Sequence, residues 1–71
     1  MLNSNLLKGK IIENGLTLAQ FSELSKIKRT ALYRKLSGKV EFTRIEIEKT
    51  AEVLHLSPVQ VKDIFFAAKV S

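Results

Sequence analysis

Residues 16–39, LTLAQFSELSKIKRTALYRKLSGK, decide the fold. Thr17-Leu18-Ala19-Gln20 forms a capping box, in which a threonine N-cap and a glutamine three residues on can each take the other's free backbone amide. The box predicts a helix over 18–25, with Phe21 and Leu24 turned inward. Ile27 follows as an apolar plug. Ala31, Leu32 and Leu36 then begin a new stripe at helical spacing, so a second helix is expected over 28–36, ending before Ser37-Gly38. Two short helices, a tight turn and basic and hydrogen-bonding side chains near the start of the second helix predict a helix-turn-helix.

The flanks extend this pattern. Leu6, Leu7, Ile11 and Ile12 follow the candidate caps Asn3 and Ser4, and the run stops at Asn14-Gly15, which predicts a helix over 4–14. A second box, Thr43-Arg44-Ile45-Glu46, opens a helix over 44–55 with Ile47, Ala51 and Leu54 on its stripe, Val53 beside it and His55 suited to a left-handed C-cap. Ser57-Pro58-Val59-Gln60 joins an N-cap serine to a proline at the first helical position and predicts a helix over 58–68, with Val61, Ile64, Phe65 and Ala68 on one side. No alternating apolar run is long enough for a strand. The expectation is one all-α, five-helix domain spanning residues 1–71. Its expected core is Leu7, Ile11, Phe21, Leu24, Ile27, Leu32, Leu36, Ile47, Leu54, Ile64 and Phe65.

The 71 residues contain no cysteine, so neither disulfides nor a thiolate zinc site can hold so small a core, and helix packing must do it. The run from Ile64 to Ala68 is far below the roughly 18–20 apolar residues that span a bilayer. Residues 1–5 lack the pattern of a signal peptide, and a soluble, cytoplasmic protein is expected. Net charge is +5, unevenly placed. Seven bases (Lys26, Lys28, Arg29, Arg34, Lys35, Lys39, Arg44) stand against Glu41 alone between positions 26 and 44, a local +6 that leaves −1 for the rest of the chain. Such a confined field suits a polyanion or an acidic partner, or serves as a solvated face.

An enzyme is not expected, because nothing in the sequence assembles a nucleophile with a base or a set of metal ligands. His55 is the sole histidine and sits at a helix end. Glu46, Glu48 and Glu52 lie among Arg44 and Lys49 as surface pairs at helical spacing. No cofactor, metal or small-molecule substrate is expected.

Residues 16–39 resemble the helix-turn-helix of the lambda-repressor-like, Cro/Xre-type family, and the five-helix layout extends that likeness over nearly the whole chain. The tail EFTRIEIEKTAEVLHLSPVQVKDIFF is similar to that of small phage regulators of the same family. The departures matter as much as the likeness. Leu18 stands where the family pattern has a glutamine that anchors the phosphate backbone. Lys26 occupies the turn position usually held by glycine, and Lys28 the cap usually held by serine or threonine.

If the third helix enters the major groove, its first turn and the next face the base edges, which selects Arg29, Thr30 and Arg34 with Tyr33 flanking them. Lys26, Lys28, Lys35 and Lys39 are expected at phosphates, together with backbone amides near Thr17 and Gln20. The resemblance implies a small phage-type regulator, Cro-like, that binds double-stranded operator DNA in a bacterial cytosol, alone or as a weak homodimer. The alternative it implies is a modulator or anti-repressor that binds the DNA-binding domain of a partner repressor through the same face.

Overall fold

A computed structural model of the chain describes residues 1–67. It contains five helices, α1 (Ser4–Glu13), α2 (Leu18–Ser25), α3 (Arg29–Leu36), α4 (Arg44–Leu54) and α5 (Pro58–Phe65), and no strand among the described residues. Local chemistry sets most of the boundaries. Asn3 caps α1 by accepting from the Leu6 N–H at 3.1 Å. The boxes predicted at Thr17 and Thr43 are closed in both directions, and Ser57 and Gln60 close a third. Lys26 ends α2 at φ 63° and His55 ends α4 at φ 54°, left-handed conformations that seldom suit residues with a Cβ. Among the described residues these are the only non-glycine ones with positive φ.

The helix over 58–68 is shorter than expected. It ends at Phe65, because the N-terminal segment takes up the carbonyls there: the Asn3 N–H donates to the Ile64 carbonyl at 2.6 Å and the Met1 amine to that of Phe65 at 3.4 Å. Ala67 returns the bond, its N–H donating to the Met1 carbonyl at 3.2 Å. Ala68, expected on the inner face of this helix, lies outside the described residues.

Among the described residues nine side chains form the core: Leu7, Ile11, Phe21, Ile27, Leu32, Leu36, Leu54, Ile64 and Phe65. α2 packs on α3 and α4, while α5 packs on α1 and α4. Ile47 is half-buried against this core, and Leu24, expected within it, is 49% exposed. The inner stripe of α2 is instead Leu18, Phe21, Ser22 and Ser25, at the i, i+3, i+4, i+7 spacing of one helix face. Two serines occupy it because the turn after α2 needs them. The Ser22 hydroxyl donates to the Ile27 carbonyl across the turn, and Ser25 donates to the Ser22 carbonyl at 3.4 Å. Leu24 lies about 100° round the helix from Ser25, on the solvent side.

Candidate nucleic-acid interface

α3 divides cleanly into two faces. Leu32, Lys35 and Leu36 are buried and Ala31 is half-buried, while Arg29, Thr30, Tyr33 and Arg34 are exposed. Positions 29, 30, 33 and 34 are two adjacent pairs one turn apart, so their side chains form a single stripe. At its N-terminal end stand Lys26 and Lys28, both exposed, and Lys28 occupies the N-cap without a side-chain hydrogen bond. Lys39 is exposed on the loop 37–43 that follows α3, with its backbone N–H donating to the Arg34 carbonyl at 3.0 Å. None of Lys26, Lys28, Arg29, Arg34 and Lys39 pairs with a carboxylate among the described residues. Beside the stripe, Thr30, Ala31, Arg34 and Val40 line a shallow recess of about 360 Å³.

One of the expected phosphate contacts does not stand. Lys35 is only 6% exposed, and its ammonium lies 3.0 Å from Glu46 Oε1 on α4, so it faces the interior rather than a phosphate. Of the amides at the start of α2, those of Thr17 and Gln20 are taken up by the capping box. The Thr17 N–H donates to Gln20 Oε1 at 2.9 Å and the Gln20 N–H to Thr17 Oγ1 at 3.1 Å, which leaves neither amide for an anion. Leu18 is half-buried and packs against the core. The lysines left exposed on this face are Lys26, Lys28 and Lys39.

Glu46, expected among the surface pairs of α4, is half-buried against Lys35 instead, and neither its place nor that of Val40 follows from local spacing. Glu46 Oε1 accepts from the Thr43 N–H at 2.8 Å and pairs with Lys35 from the same oxygen. Burial pushes its carboxyl up, but the Thr43 N–H and the Lys35 ammonium outweigh that and hold it below its ordinary value of 4.5. One signal was legible: of three capping boxes, only the one at Thr43 carries a carboxylate. Val40 carried no such signal, since its place beside Arg34 depends on the path of the loop.

Among the described residues, no three His, Cys, Asp or Glu side chains gather as metal ligands, and no helix is long and apolar enough to cross a membrane. The family model described as "Protein of unknown function (DUF739)" matches residues 3–68. No curated protein and no solved structure matches the chain.

Proposed function

We propose, for a chain that belongs to this family of unknown function, that it is a small transcriptional regulator of phage type. On this reading α2, the turn at Lys26 and α3 act as a helix-turn-helix, and α3 enters the major groove of operator DNA. The observation that carries the reading is the exposed stripe of Arg29, Thr30, Tyr33 and Arg34, flanked by three lysines that pair with no carboxylate among the described residues. Arg29 and Arg34 can each pair bidentately with a guanine, and Thr30 suits a thymine methyl or a hydrogen-bonding edge. A single module of this kind covers only about 600–1,000 Å² of DNA-facing surface, so useful affinity calls for a weak homodimer or a partner.

A second reading rests on a different observation. Tyr33 and Val40, 51% and 43% exposed, give the same face an apolar component, and aromatic and arginine anchors are typical of protein interfaces. The chain would then be a modulator that binds the DNA-binding domain of a partner repressor.

Titration against operator DNA alone and against the repressor alone separates the two. On DNA, Arg29→Ala should cost about 1–3 kcal/mol on the specific site and much less on random sequence. With Lys26, Lys28 and Lys39 as the phosphate contacts, log K should fall against log salt with a slope of about −3. Sequence-blind DNA binding, together with a stoichiometric repressor complex weakened by Tyr33→Ala, would decide for the modulator.

A further inference from the structure

We propose that Lys35 is a positioning residue: through Glu46 it latches the loop 37–43 to α3 and so sets Lys39 and Val40 beside the binding stripe. A buried ammonium is unfavourable unless each of its N–H groups is met. Lys35 meets three groups. Its Nζ lies 3.0 Å from Glu46 Oε1, donates to the Glu41 carbonyl at 3.2 Å, and stands 5.9 Å from the centre of the Phe42 ring. None of the three belongs to α3. Two come from the loop and one from the first turn of α4, so a single side chain of the candidate reading helix ties down the connection that follows it.

The loop is thus fixed from both ends. Its start is held by the end of α3, where the Gly38 N–H donates to the Lys35 carbonyl at 3.1 Å and the Lys39 N–H to that of Arg34 at 3.0 Å. Its far half is held by the Lys35 ammonium at Glu41 and Phe42, and Phe42 is itself anchored edge-on to Phe65 at 5.1 Å. Val40 lies between these anchors and forms one wall of the recess with Thr30, Ala31 and Arg34.

The chain contains its own control for the role of Glu46. A glutamine closes the boxes at Thr17 and Ser57, so capping does not require a carboxylate at this position. What glutamate adds at 46 is a charge opposite Lys35. Buried ion pairs contribute little net stability over apolar packing, and their best-attested use is to fix one arrangement among several. Here the arrangement fixed is that of the loop against α3.

Glu46→Gln keeps the box and removes the charge, and Lys35→Met keeps the apolar stem and removes the ammonium. In the free protein, amide exchange at Gly38 and Lys39, the loop amides bonded to α3 carbonyls, should rise about tenfold in either variant while the amides of α2 and α5 stay protected. The double variant should be no worse than either single one, because both break the same contact. Uniformly faster exchange, or an unchanged loop in Glu46→Gln, would overturn the latch, and that variant decides alone if Lys35→Met does not fold.

The consequence for binding rests on the DNA reading. Lys39→Ala should lower the salt slope by about 0.9 in the natural sequence and by much less in a Glu46→Gln background, where the lysine is no longer held in place. An equal drop in both backgrounds would overturn the positioning role. A chain that never binds DNA would overturn the function proposed above and, with it, the binding consequence, while the exchange pattern still decides the latch.

Discussion

The junctions between α2 and α3 and between α4 and α5 use one backbone device with opposite chemistry. Each ends its first helix on a left-handed residue that carries a Cβ, Lys26 in one and His55 in the other. Beyond that point they diverge. α5 starts by every local rule, with Ser57 as cap, Pro58 at the first position and Gln60 closing the box. α3 starts on Lys28, which makes no side-chain cap, and its first turn holds no acid. The α2–α3 turn depends on buried contacts instead: Ile27 in the core, and the Ser22 hydroxyl on the Ile27 carbonyl. Where local preference is broken, the replacement is a base facing solvent. That is the pattern expected when a segment serves binding at the expense of its own stability.

The comparison can be broken most directly at Leu32. If burial rather than a cap holds α3, Leu32→Ala at this fully buried position should cost about 2–5 kcal/mol, a large share of the roughly 5 kcal/mol such a domain has. An unchanged midpoint in urea would show that α3 is held some other way.

Next in size are the caps themselves. Ser57→Ala should lose about 1 kcal/mol, whereas Lys28→Ala should lose almost nothing. Equal losses would erase the difference between the junctions. Lys28→Ser should work in the opposite sense, gaining about 0.5–1 kcal/mol in thermal or urea unfolding while weakening binding to polyanions.

The left-handed residues sharpen the contrast further. Lys26→Gly and His55→Gly should each relieve about 0.5 kcal/mol of strain, net of the freedom glycine adds to the unfolded chain. Only the first should alter the salt dependence of binding.

The smallest expected effect is acid sensitivity, which distinguishes the α4 box from its glutamine counterparts. The Glu46 carboxyl is lowered in the folded chain, so its stabilisation is present above the ordinary value of 4.5 and fades as pH falls through the folded value. Glu46→Gln should flatten that part of the acid unfolding curve. The same slope in both proteins would remove Glu46 from the account.

What the sequence by itself determined was everything that depends on neighbours three or four residues apart. The boxes at Thr17 and Thr43, the serine cap and proline that open α5, the left-handed ends at Lys26 and His55, the uncapped start of α3 and most of the core were legible because helix capping and helical periodicity are local. The exposed stripe on α3 followed from the same periodicity. Tertiary structure alone decided the rest. Leu24 faces solvent because the turn draws Ser22 and Ser25 inward, a demand set by Ile27 rather than by hydrophobicity. α5 stops at Phe65 because residues 1–3 bond to its last carbonyls, and those partners are more than sixty positions away in the chain. Lys35 looks in sequence like one more base in a positive run. It becomes an internal pin only when α4 brings Glu46 to 3.0 Å, since the cost of burying a charge is met by a partner that composition cannot reveal.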